Sequence, residues 1–111
     1  MVTWRKEVAK EMQCHEESWG DVVACVIGYN TYEGDCHYGS CGGNDKSISA
    51  SRDSELWDKE FCDSYGATEG DSFTVWTKKR VYFPVCYDGR EWCGSASRIP
   101  DGVAMEHQGG G

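Results

Sequence analysis

Seven cysteines, Cys14, Cys25, Cys36, Cys41, Cys62, Cys86 and Cys93, have the widest chemical repertoire in this chain, and three chemistries compete for them. Disulfide formation is the simplest. A chain of 111 residues buries a modest core, and small secreted domains offset that with bridges worth roughly 2 to 4 kcal/mol each. An odd count leaves one thiol free or shared with another molecule, and spacing alone does not choose the pairing. Structural zinc would need a close C-x-x-C pair with a second cysteine or histidine pair downstream. The nearest approach is Cys36-His37-Tyr38-Gly39-Ser40-Cys41 in a glycine-rich turn, so no metal or other cofactor is expected. Thiol–disulfide exchange would need C-x-x-C at a helix start, which the chain lacks.

Acid–base chemistry has fewer candidates. The histidines are His15, His37 and His107, and each reads first as a solvated helix, loop or tail residue. Glu91, Arg98 and His107 fall near successive strand ends, where a carboxylate, a guanidinium and an imidazole would serve as base, phosphate clamp and acid. No G-x-S-x-G or H-E-x-x-H string accompanies them. Residues 42–47 approach a phosphate loop, but Asp45 stands where glycine is needed and its charge opposes a phosphate. Recognition is therefore expected ahead of catalysis. Trp76 and Tyr82 would stack on a sugar ring or anchor a protein, with Glu91 and Arg98 as polar contacts.

The elements that must position these groups follow from periodicity. Trp4, Val8 and Met12 recur every four residues among Arg5, Lys6, Glu7, Lys10 and Glu11, which predicts an amphipathic helix over residues 4–16. Cys14 lies off that stripe and is the first candidate for the unpaired cysteine, or for a dimer linked through it. Residues 22–29 form a β-branched run read as a buried strand. A glycine-rich loop is expected over residues 33–45, pinned by Cys36 and Cys41, then a brief strand over residues 47–51. Asp53 is expected to cap a second helix through about residue 64, with Leu56, Trp57, Phe61 and Tyr65 on one side.

The last third is a meander. Residues 72–77 and 81–87 alternate, and Asp88-Gly89 is the dipeptide of a two-residue type I′ hairpin leading into residues 90–94. Pro100-Asp101-Gly102 turns toward a further strand over residues 103–107. With Asp88 and Gly89 as the loop, Tyr87 opposes Arg90, Cys86 opposes Glu91 and Val85 opposes Trp92. Val81, Phe83, Val85 and Trp92 then share one face, expected to be the core. The other face carries Tyr82, Cys86, Glu91 and Cys93, with Trp76 assigned to it from the preceding strand. Two readings compete for that face: a binding surface, or a surface covered by the helical stripe. Cys86 and Cys93 fall on a diagonal, which strains a bridge between them.

Charge restricts the partners. With 19 acidic against 11 basic residues the formal charge is −8, which disfavours nucleic acid and anionic membranes. No run approaches the roughly 20 apolar residues of a membrane span, so membrane insertion is not expected. No signal-like apolar run follows Met1, which is read as an initiator on a mature domain.

In size, cysteine count and richness in glycine and aromatics, the chain resembles the small secreted cysteine-rich proteins of fungi, both plant-directed effectors and killer toxins. Its expected order of helix, strand, strand, helix, strand is similar to the α/β sandwich of some smut-fungus killer toxins. Residues 29–34, Tyr-Asn-Thr-Tyr-Glu-Gly, and the Lys46-Ser47-Ile48-Ser49 string are similar to the repeat of βγ-crystallin-like antimicrobial proteins. The second repeat starts at Ser72-Phe73-Thr74-Val75-Trp76 without the aromatic-x-Gly corner, so the calcium site of that family does not carry over. Arg98 with residues 102–107 resembles the last catalytic strands of small fungal extracellular ribonucleases.

Together these readings describe a secreted, extracellular α+β domain over residues 1–108, with a flexible tail at 109–111. It holds two short helices and a C-terminal antiparallel meander, and disulfides drawn from Cys25, Cys36, Cys41, Cys62, Cys86 and Cys93 stabilise it. The expected activity is binding to a host or competitor protein or glycan, as an effector, virulence factor or toxin. The alternatives are a small ribonuclease-like hydrolase and a carbohydrate-binding antimicrobial protein.

Overall fold

The structure is a computed structural model that describes residues 1–28, 49–64 and 68–109. The Cys36-His37-Cys41 loop, the 42–47 string, the crystallin-like corner at residues 29–34 and Tyr65, expected on the apolar side of the second helix, lie outside the described residues. The chain opens with a two-residue strand, β1 (Val2–Thr3), and a helix, α1 (Trp4–Gln13). Thr3 caps that helix by accepting from the Lys6 N–H at 3.3 Å. A four-stranded antiparallel sheet follows, from β2 (Val22–Gly28), β4 (Ser72–Thr77), β5 (Arg80–Tyr87) and β6 (Arg90–Ser97), in the order β2-β4-β5-β6. Between β2 and β4, β3 (Glu60–Phe61) pairs with β1. The architecture is α+β, with one α-helix among the described residues.

The hairpin has the register that Asp88-Gly89 demands: Tyr87 faces Arg90, Cys86 faces Glu91 and Val85 faces Trp92. Both loop residues sit at positive φ, 53° and 84°, as a type I′ turn requires. Ser49 forms a two-bond bridge with Ile27, part of the brief strand expected over residues 47–51.

Two expectations about elements are corrected. Residues 53–64 do not form a second helix. Ser54 caps a single 3₁₀ turn, Glu55–Asp58, and the chain then extends into β3. Phe61 is drawn out of helical geometry because its extended form pairs with Val2 and places its ring 4.7 Å from that of Trp4. Residues 103–107 are not a strand either. After Gly102 the chain crosses the sheet's face instead of its edge, so that Gln108 lies over Gly94.

The core lies on the face opposite to the one expected. Register aligns Cys25 with Val75, Val75 with Tyr82 and Tyr82 with Ser95, so Cys25, Ile27, Phe73, Val75, Tyr82 and Cys93 form one surface. The Trp4, Val8 and Met12 stripe packs there. That surface wins because all four strands contribute to it, whereas a single hairpin conceals the supply from β2 and β4. Val81, Phe83 and Trp92 are left half-buried on the outer face, with Val85 buried beneath the C-terminal segment. Trp76 is paired with Val81 and belongs to that outer face, not to the side of Tyr82. Trp4 closes the core, its indole N–H donating to the Asp71 carbonyl at 2.9 Å. A Cβ at Gly70 would sit 2.7 Å from that ring, so only glycine allows the approach. No helix among the described residues is long and apolar enough to cross a membrane.

Candidate functional site

Where α1 ends, the chain must turn back onto the sheet. Glu16 takes a left-handed conformation, φ 59°, and the turn it makes delivers Glu17 to the sheet. There the Glu17 carboxylate accepts from the Tyr82 hydroxyl at 2.6 Å and the Thr77 hydroxyl at 3.0 Å. One turn earlier, Glu11 and His15 project from the same side at the i, i+4 spacing and meet at 3.1 Å. These two carboxylates stitch the helix end to β4, β5 and β6.

Ser95 stands at the centre of the second stitch. Its hydroxyl donates to the Glu11 carboxylate at 2.7 Å and accepts from Arg80 Nε at 3.2 Å and Nη2 at 2.8 Å. His15 Nε2 lies 3.3 Å from the same oxygen. Glu11, His15, Arg80 and Ser95 form one wall of a cleft of about 750 Å³ that follows β6 and the segment after it. Trp92, Ile99, Val103 and Met105 line the rest, together with Arg98 and Asp101. Ile99, Val103 and Met105 are 55%, 65% and 54% exposed, and they give the cleft an apolar side.

The electrostatics of the wall are nearly closed. Glu11 and His15 are hydrogen-bonded to each other at 3.1 Å. Arg80 is partly buried, yet among the described residues it forms no ion pair with a carboxylate; Arg5, similarly buried, pairs with Asp58 at 2.7 Å. The Cys93 thiol beside this wall is pushed far up by burial, and the Glu11 charge adds to it, so it stays protonated. Tyr82 is raised in the same way, by burial first and by its bond to Glu17 second.

The residues expected to act are scattered. Tyr82 has no exposed surface, and Glu91 is 4% exposed. Glu91 sits at the far end of β6, where its carboxylate accepts from the Glu69 and Gly70 N–H groups at 2.7 and 3.1 Å. Arg98 follows the other end of that strand, and His107 is exposed on the C-terminal segment, so Glu91, Arg98 and His107 are not brought together. Of the residues expected to bind or catalyse, Arg98 alone lines the cleft, held by a bond from Nη1 to the Thr77 carbonyl. Glu11, His15, Arg80 and Ser95 were missed. The signal available was the i, i+4 pair at the helix end together with the shared strand parity of Tyr82 and Ser95.

Five cysteines are described, and none is bridged: Cys14 is exposed, Cys62 and Cys86 are half-buried, and Cys25 and Cys93 are buried. No cluster of three metal-ligating side chains occurs among the described residues. The chain matches no protein-family model, no curated protein and no solved structure.

Proposed function

We propose that this protein acts by binding: it takes a segment of a host or competitor protein into the cleft beside β6, as a secreted effector or toxin-type domain. The observation that carries this reading is the cleft's apolar rim, Ile99, Val103 and Met105, set over a polar wall. A rigid wall leaves little ordering entropy to lose on association. The state of Ser95 supports binding over turnover. Its O–H donates to Glu11 and its lone pairs face the two Arg80 N–H groups, so its oxygen is fully engaged in holding the wall together. Cysteine density is what supports secretion and disulfide stabilisation, and the exposure of Cys14 at the end of α1 supports it as the cysteine that would join two copies.

One observation favours a second reading, a small hydrolase acting on RNA or polysaccharide. Carboxylate, imidazole and guanidinium do gather in one network, from Glu11, His15 and Arg80 in place of Glu91, His107 and Arg98. The two readings separate in paired assays of the purified protein. Binding predicts selection of peptides from a random display library, with affinity lost by roughly tenfold in Val103→Glu. Hydrolysis predicts turnover of labelled RNA or glucan that His15→Ala abolishes while the fold persists. Selection of glycans and no peptides from matched arrays would move the proposal to carbohydrate recognition.

A further inference from the structure

β6 is the last strand of its sheet, with β5 on one side only. The direction of its main-chain groups is fixed at both ends. The Glu91 N–H donates away from β5, to the Asp63 carbonyl at 2.8 Å, whereas the Arg98 N–H donates toward the hairpin partner, to Lys79 at 2.7 Å. Alternation between these points turns the N–H and C=O groups of Cys93, Ser95 and Ser97 outward. No hydrogen bond to those outward groups occurs among the described residues. The same stretch lines the cleft. Asp63 therefore closes the first outward position of the edge, and the next three open onto the cavity.

The two faces of this edge differ in chemistry. On the helix side, Ser95 holds the partly buried Arg80. Nε and one N–H of Nη2 are spent on the Ser95 hydroxyl, so the Nη1–Nη2 end of the guanidinium remains for a planar acceptor. On the outer side stand Trp92 and the exposed Val103 and Met105. An extended chain lying along the edge presents alternate side chains to these two faces.

We infer that the cleft binds an extended acidic peptide segment by strand addition to β6. The ligand's main chain pairs with Cys93, Ser95 and Ser97, a carboxylate side chain meets Arg80, and its alternate apolar side chains meet Trp92, Val103 and Met105. This mode rests on the proposal that the cleft is the binding site, and it adds the backbone pairing and the charge. A carboxylate is favoured over a more highly charged phosphate because Glu11 lies one hydroxyl away from Arg80 and the chain carries a formal charge of −8. Strand addition is a general mode of peptide capture, in which main-chain bonds supply affinity and alternate pockets supply specificity.

The test is an amide NMR titration of the full chain with the pentapeptide acetyl-Val-Glu-Val-Glu-Val-amide. Its glutamine analogue and an analogue N-methylated at alternate residues run in parallel. Strand addition is expected to protect the Cys93, Ser95 and Ser97 amides from exchange. Affinity should fall roughly tenfold or more on N-methylation, and by a similar factor with the glutamine analogue. Arg80→Gln should remove the preference for glutamate over glutamine. Because that comparison uses one protein with two peptides, a partial loss of fold does not mimic it. Binding in the cleft that survives N-methylation overturns strand addition and leaves the cleft as a binding site. Peptide selection elsewhere on the surface, with β6 amides unmoved, overturns both. Protection of the same amides without peptide, rising with protein concentration, assigns the edge to a second copy of the chain and overturns the peptide inference. Failure of the pentapeptide to bind at millimolar concentration also overturns it.

Discussion

Glu91 shows how a single side chain changes meaning between sequence and structure. Among the expected site residues it was the base or a receptor contact, but its carboxylate is buried and holds the backbone at Glu69 and Gly70. Those N–H groups must be held in place because Gly70 packs directly beneath the Trp4 ring. Burial raises the Glu91 pKa from its ordinary value of 4.5, and the backbone bonds pull against that rise without cancelling it. A carboxyl whose folded pKa is raised keeps its proton in the folded state after the unfolded chain has lost it. Its contribution to stability is therefore full below the ordinary glutamate range and is lost as pH rises through the raised value. Glu91→Gln removes that dependence. Urea unfolding of both proteins between about pH 4 and about pH 8 should show the variant gaining on the wild type as pH rises through that window, then holding a constant difference. A wild type that instead gains on the variant with rising pH would mean that the backbone bonds outweigh burial.

At the scale of elements, α1 was legible because its signal is local. Trp4, Val8 and Met12 recur with the helical period, and all three are buried. Met12→Ala should cost about 2–5 kcal/mol in chemical denaturation. Cys14→Ala, two residues on and exposed, should cost less than about 0.5 kcal/mol. Equal costs would show that the stripe is not what holds the helix down. The β5–β6 hairpin was legible for the same reason: Asp88-Gly89 sets its own geometry and register. Residues 53–64 were misread because Leu56, Trp57 and Phe61 also suit a helix, and the deciding influence is Val2, far away in sequence, which pairs with Phe61. The site was legible only in fragments. Glu11 and His15 are visible as a helical pair, but Ser95 and Arg80 join them only once β6 is placed under the helix, a fact of tertiary packing that no local pattern carries. Trp76 was assigned to the wrong face although the two-residue connection Lys78-Lys79 pairs it with Val81 by the same rule that Asp88-Gly89 follows; its composition carries no turn signature as strong as Asp-Gly.

For the whole molecule, strand order limits which cysteines can ever meet. Cys25 lies on β2 and Cys93 on β6, at opposite edges of the four-stranded sheet. Three strand spacings separate them by about 14 Å, far beyond the Cβ separation of roughly 4 Å that a disulfide needs. Cys86 and Cys93 are on adjacent strands, but Cys86 faces Glu91 and Cys93 faces Pro84. That diagonal places their Cβ atoms about 7 Å apart, again too far without distorting the hairpin. If the protein is exported and oxidised, as its cysteine density suggests, neither pair can form in the folded state. Peptide mapping of the oxidised, natively purified protein should find neither Cys25–Cys93 nor Cys86–Cys93. Before oxidation, the exposed Cys14 should alkylate fastest, and the buried Cys25 and Cys93 only on unfolding. A Cys25–Cys93 bridge in protein that still unfolds cooperatively would contradict the order β2-β4-β5-β6. It would also remove the free β6 edge on which peptide capture depends, so this mapping tests the fold and the binding mode together.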